Sequence, residues 1–211
     1  MEIFRAILEE AAALSWVDWV VSATAILYVV MAARGLAWGW AWGMLSCSLW
    51  AYASYTFYDL YLDALLQIFY VVVAGIGLYQ WKYGAPGQAP LPISRLPWRS
   101  HLYIILIGTV LSLVFGYFFS AYTPAAATYW DAFTTVFSVA ATLLLVRKVL
   151  ENWAYWVVID LLYAGLYASR GAWLFALLMA IYVLIAAAAY RTWQGRYRAE
   201  GQVKKGFLEG H

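Results

Sequence analysis

Charge is what this sequence has least of. Of its 211 residues, 11% are Asp, Glu, Lys or Arg, against roughly a quarter in a soluble domain. So few charges cannot clothe a water-facing surface, which excludes an ordinary soluble enzyme and gives no basis for a nucleic-acid partner. Cysteine is nearly absent. The one present, Cys47, lies in an apolar run and rules out an intrachain disulfide or a cysteine-rich metal site. The two histidines, His101 and His211, stand far apart with no ligand cluster around them, so no metal is expected. A phosphate loop, a zinc-binding helix motif and a nucleophile elbow are all missing. Neither catalysis nor ATP-driven pumping within this chain is expected, and no cofactor. Proline is scarce too, and four of the five residues fall between Pro86 and Pro97.

What fills the chain is apolar and aromatic: 66% hydrophobic residues, with 13 Trp and 18 Tyr. The solvent must largely be lipid. Indoles and phenols suit the bilayer interface, where an apolar body meets a polar tip, and they also stack on ring-shaped solutes. A spanning helix needs about 20 mainly apolar residues. Seven such stretches read off at 16–33, 38–58, 60–81, 101–122, 129–145, 152–168 and 171–193. Before them, residues 1–15 form an amphipathic lead-in lying at the interface. Glu9 and Glu10 fall where the apolar core of a signal peptide would be. A proline-rich linker occupies 85–100, and a basic tail 196–211.

The basic residues sort by side. With seven spans, Arg34, Lys82, Arg95, Arg99, Arg147, Lys148, Arg191, Arg196, Arg198, Lys204 and Lys205 share one face, and Arg5 and Arg170 the other. The positive-inside rule then puts the C-terminus and linker in the cytoplasm and the N-terminus outside.

The two halves repeat. Tyr55 falls on Tyr167, Ala64-Leu65-Leu66 on Ala176-Leu177-Leu178, Tyr70 on Tyr182 and Trp81 on Trp193, all at an offset of 112 residues. After a one-residue gap, Arg34 falls on Arg147 and Trp40 on Trp153. The expected fold is therefore an all-α integral membrane protein. Its seven transmembrane helices form a 3+1+3 arrangement of two parallel three-helix repeats, at 16–84 and 129–195, joined by a connecting helix at 101–122. Repeats of this kind build carriers that bind a solute near the midplane.

Charged groups inside a span are costly and mark function or tight pairing. Asp160 lies mid-helix, and Trp153, Trp156, Asp160 and Tyr163 follow helical spacing on one face. Two indoles, a carboxylate and a phenol can stack on a ring and neutralise a cation. Asp160 could equally pair with a neighbouring helix. Asp63, Gln67 and Tyr70 share a face of the third helix, with Asp63 expected just outside the core. The Gln67 amide needs a partner, either a substrate or a neighbouring helix. Trp50 lies deep enough to be a cavity aromatic, whereas Trp38, Trp40 and Trp42 read as an interface belt. Thr134 and Thr135 are candidate pore-lining donors, and Ser138 and Thr142 read as packing residues.

Three stretches resemble the PnuC family of vitamin transporters. They are AspAlaLeuLeuGlnIlePheTyr with GlyLeuTyrGlnTrp between Asp63 and Trp81, AspAlaPheThrThrValPheSer from Asp131 to Ser138, and ArgLysValLeuGluAsnTrpAlaTyrTrpValValIleAsp from Arg147 to Asp160. The resemblance implies uptake of nicotinamide riboside across the bacterial inner membrane, with thiamine and riboflavin carriers as sister branches. It implies a fold similar to SWEET sugar transporters, a homotrimer, and facilitated diffusion followed by intracellular phosphorylation. By position it implies that Gln67, Trp153, Trp156 and Asp160 match the family's binding helices. Nicotinamide riboside carriers often present asparagine on the sixth helix, where Asp160 stands here, so the vitamin is left open. Nicotinamide riboside and thiamine are both cationic and aromatic, and either suits this face. A membrane receptor that binds a protein partner is the reading from another class.

Overall fold

The computed structural model describes residues 2–57, 61–84, 91–122 and 128–209, without the side chains of 61, 62, 128 and 203–209. Eight helices follow in order: α1 (Glu2–Ala13), α2 (Trp16–Ala33), α3 (Gly39–Thr56), α4 (Tyr61–Tyr83), α5 (Trp98–Tyr122), α6 (Thr128–Val146), α7 (Asn152–Ser169) and α8 (Trp173–Glu209). Five of them, α2, α4, α5, α6 and α8, are long and apolar enough to cross a membrane. The 18-residue α3 and α7 fall short in apolarity, because Ser, Gly and aromatic residues dilute α3, and Asn152 and Asp160 dilute α7.

Several of the helix ends have a local cause. Ser15 caps α2 by accepting the Asp18 backbone N–H, and the Asp18 carboxylate accepts the Ser15 backbone N–H at 2.9 Å. This reciprocal box satisfies donors that the first turn would leave orphaned. Glu10 does the same from a distance. Its two carboxylate oxygens accept the Trp173 and Leu174 backbone N–H groups at 3.0 and 2.9 Å, pinning α1 to the start of α8. No residue of α1 is buried, and Ile3, Phe4 and Leu8 face outward. That fits a helix lying along an interface.

The two halves match in detail at the ends of α2 and α6. Gly35 takes φ +73° after α2, and Lys148 takes φ +50° after α6. Around them, Gly35 N–H bonds the Ala32 carbonyl and Leu36 N–H the Met31 carbonyl, while Lys148 N–H bonds Leu145 and Val149 N–H bonds Leu144. This is the same left-handed helix stop, built twice in the register read from the sequence. Within each half neighbours pack consecutively, α2 on α3 on α4 and α6 on α7 on α8, and between halves α2 meets α8 and α4 meets α6.

Four tryptophans sit at the centre of the core. Trp40, Trp81, Trp153 and Trp193 are each 3% exposed or less. Trp40 meets Trp81 edge-on with centroids 5.5 Å apart, and Trp153 meets Trp193 the same way at 5.6 Å. Trp81 and Trp193 close the chain at 5.7 Å. The belt reading therefore fails for Trp40, which α4 covers through the close approach of Gly77. Trp38, by contrast, is 59% exposed.

Two boundaries differ from the sequence reading. α5 begins at Trp98, just after Pro97, rather than at 101. α8 runs through Trp193 into the basic segment and on to Glu209, because Gln, Arg, Ala and Glu there favour helix and no proline stops it. Of the linker, residues 85–90 lie outside the described residues, as do Asp59 and Pro124. Residues 91–97 of the linker are described. Ser94 pairs with the α6–α7 turn, its N–H on the Lys148 carbonyl at 3.0 Å and its carbonyl accepting Leu150 N–H at 2.8 Å. Arg95 reaches Glu151 at 2.6 Å.

Candidate functional site: an aromatic-walled cavity

A cavity of about 440 Å³ runs between the halves, from Leu14 and Asp18 at one end to Ala32, Trp40, Leu145 and Trp153 at the other. It gathers seven of the eight residues expected at the site. Trp50, Gln67, Tyr70, Trp153, Trp156, Asp160 and Tyr163 all line it.

Thr134 does not line it, which corrects its reading as a pore-lining donor. Thr134 is wholly buried, and its hydroxyl donates to the Trp130 and Asp131 carbonyls at 2.9 and 3.2 Å. A threonine in an apolar helix meets its own hydrogen-bonding need through the preceding turn. Its side chain is also hydrogen-bonded to Tyr163, so Thr134 orients a wall residue from behind. Thr142, read as packing, does reach the wall.

Asp160 is 6% exposed, yet it opens onto the cavity. Among the described residues no hydrogen bond or ion pair reaches its carboxylate. The alternative of a structural partner on a neighbouring helix therefore has none to name. Gln67 is different. Its amide donates toward Asp63 Oδ1 at a long 3.5 Å, and Asp63 accepts the buried Ser54 hydroxyl at 2.6 Å. Asp63 was expected just outside the core. It is half-buried and serves as a tie between α3 and α4.

The wall repeats the register of the two halves. Trp40 and Trp153, Trp50 and Tyr163, Tyr70 and Tyr182, and Ala74 and Ala186 occupy matched positions, and all line the cavity. The match breaks in the middle, where Cys47 stands opposite Asp160, Gly43 opposite Trp156 and Gln67 opposite Met179. At this break the symmetric frame holds the Asp160 carboxylate on one half and the Gln67 amide on the other. Sequence reasoning missed Asp18, Ser22 and Tyr28 on α2, and Tyr182 on α8. The helical spacing of the α2 residues and the pairing of Tyr182 with Tyr70 were the available signals. Among the described residues, no His, Cys, Asp and Glu cluster could hold a metal ion. A second, wider groove on the outer side of α4, between Val72 and Leu91, carries no charged side chain.

Residues 15–195 match the family model described as nicotinamide mononucleotide transporter. The chain belongs to this family. Relatives include a nicotinamide riboside transporter PnuC of Neisseria mucosa, 31% identical over 73% of this chain and 60% of that protein. The match therefore spans about three fifths of that relative's length. Another, of Escherichia coli K12, is 26% identical over 89% of both chains. Among solved structures, the crystal structure of the vitamin B3 transporter PnuC superposes with a TM-score of 0.71 at 26% identity, covering 93% of this chain and 90% of that one. As a member of the transporter family with five helices fit to cross a bilayer, the chain is a multi-pass membrane protein.

Proposed function

We propose that this family member takes up nicotinamide riboside. The observation that carries the proposal is the Asp160 carboxylate, buried without a partner among the described residues on the wall of an aromatic cavity. An unpaired charge at that depth is costly, and a cationic ligand supplies the missing counter-charge. The pyridinium ring of nicotinamide riboside carries that charge and offers a flat face to Trp153, Trp156 and the tyrosines. The Gln67 carbonyl suits the carboxamide N–H groups. The relatives named as nicotinamide riboside transporters support the same ligand.

Within this reading α2 to α8 are the seven spans, in a 3+1+3 arrangement of two parallel repeats. The repeated helix stops and the matched wall support it. α3 and α7 cross with Ser46 and Asp160 on the cavity wall. The basic ends of α2, α4 and α6 face the cytoplasm, and the N-terminus faces out. Transport is facilitated diffusion across the bacterial inner membrane, and phosphorylation inside the cell retains the product. A homotrimer completes the proposal, to be checked by the mass of the detergent-purified particle.

Thiamine is the second reading. The observation that favours it is Asp160 itself, an acid on a helix where carriers of the riboside often present an amide. Thermal stabilisation of the purified protein by nicotinamide riboside, thiamine, riboflavin and glucose tests both. A shift with the riboside alone supports the proposal, and a shift with thiamine alone renames the substrate. No shift with any of the four overturns the vitamin reading.

A further inference from the structure

Trp81 and Trp193 occupy matched positions on α4 and α8, and each reaches across to the other half. Trp81 Nε1–H donates to the Val146 carbonyl at 3.0 Å and the Leu145 carbonyl at 3.2 Å, at the end of α6. Trp193 Nε1–H donates to the Ala33 carbonyl at 2.9 Å, at the end of α2. Ala33 and Val146 are themselves matched positions, so one tie is made twice about the same axis. The last carbonyls of a helix have no partner within it. Each indole therefore satisfies a group that would otherwise need water.

The ties lie behind the cavity floor. Trp40 and Trp153 line the cavity, whereas Trp81 and Trp193 do not, although their rings touch the first pair edge-on. Beyond them stand Arg34, Lys82, Arg147 and Lys148 at the basic end of the molecule, with the Lys148 ammonium 4.8 Å above the Trp81 ring. Within the layer, the Trp40 and Trp153 N–H groups are buried with no partner among the described residues. Two of the four indole donors thus hold the halves together, and two have nothing to lose when they part.

We infer that Trp81 and Trp193 form the gate that closes the basic end of the cavity, and that their two crossing hydrogen bonds set how often it opens. The inference rests on the proposal that this chain carries a solute between two sides. It names no substrate, however, and its test needs none. When the gate opens, cytoplasmic water replaces the indole on each carbonyl, so separation exchanges these ties for hydrogen bonds to water at a modest net cost. Replacing either indole by phenylalanine keeps an aromatic ring in the layer and deletes one tie.

Cys47 is the only cysteine in the chain and lines the cavity, so it reports which side reaches the interior. Sealed vesicles of either orientation are treated with a membrane-impermeant maleimide. In the unaltered chain, Cys47 is expected to react from the basic side more slowly than from the opposite side. Trp81→Phe and Trp193→Phe are each expected to raise the basic-side rate about fivefold, and the double variant about thirtyfold. Trp98→Phe, at an indole 70% exposed at the start of α5, leaves the rate as it is. Folded single variants with an unchanged basic-side rate overturn the inference. An unaltered chain that reacts as fast from the basic side also overturns it, and this arm decides if the variants fail to fold. A vitamin assay that fails while the sidedness shifts would remove the substrate reading and leave the gate.

Discussion

The Ser54 hydroxyl donates to Asp63 at 2.6 Å, joining the outer ends of α3 and α4 one turn from Gln67. Ser54 has no exposure at all, so loss of its acceptor leaves a buried polar group unpaired. Asp63→Ala should therefore cost about 1–3 kcal/mol, seen as a lower melting temperature in detergent. It should also weaken ligand binding, because Gln67 loses its anchor. Asp63→Asn retains an acceptor for Ser54 and should recover most of the stability. Equal losses in the two variants would mean that the charge, not the hydrogen bond, holds this corner.

At Asp160 the prediction concerns charge rather than shape. Asp160→Asn keeps the volume and removes the negative charge from the cavity wall. A charge-assisted contact contributes about 1.5–3 kcal/mol, so affinity for nicotinamide riboside should fall roughly ten- to a hundredfold. The reduced, uncharged riboside should bind the variant as well as it binds the parent. Titration calorimetry with both ligands makes the comparison, and an equal loss for both would assign Asp160 a role in shape or hydrogen bonding instead.

Much of this arrangement was legible in the sequence, for physical reasons. Trp81 on Trp193 and Trp40 on Trp153 set a register that the basic residues Arg34 and Arg147 share, and a mid-span acid at Asp160 has few uses other than facing an interior. The misreadings share a cause. Thr134 looked like a free donor because its bond to the preceding turn is invisible without coordinates. Trp40 looked like belt because its place near a helix end suits an interface, and only the approach of Gly77 from α4 reveals its burial. Tyr28 went unnoticed because nothing charged marks that part of α2. The basic run after Trp193 reads equally well as a tail or as further turns of helix.

Gly77 makes the cost of crowding measurable. A Cβ built there would lie 2.5 Å from Cε2 of Trp40, and Trp40 is confined by Tyr28 at 5.4 Å and Trp81 at 5.5 Å. Gly77→Ala should destabilise by about 1–3 kcal/mol as overpacking forces the indole to shift. One half-turn away, Gly75 faces open space. Gly75→Ala should be neutral or stabilise by roughly 0.5–1 kcal/mol through helix propensity alone. The pair of melting curves separates packing from backbone effects, and similar shifts in both would discard the crowding argument.

If the solute is a cation moving without a coupling ion, the membrane potential is the only source of accumulation of the unphosphorylated solute. An inside-negative potential contributes roughly 2.3 kcal/mol per 100 mV for one charge, or about fiftyfold at equilibrium. Proteoliposomes loaded with potassium and treated with valinomycin impose such a potential. Uptake of labelled nicotinamide riboside should then plateau at a ratio that follows the potassium gradient. A pH gradient applied at zero potential should drive nothing. The Asp160→Asn variant should reach the same plateau more slowly, because the charge on the wall alters binding and rate but not the equilibrium set by the field. Accumulation that follows the pH gradient instead would mean that a proton crosses with the solute, and Asp160, buried and without a partner among the described residues, would then be the first residue to test as its carrier.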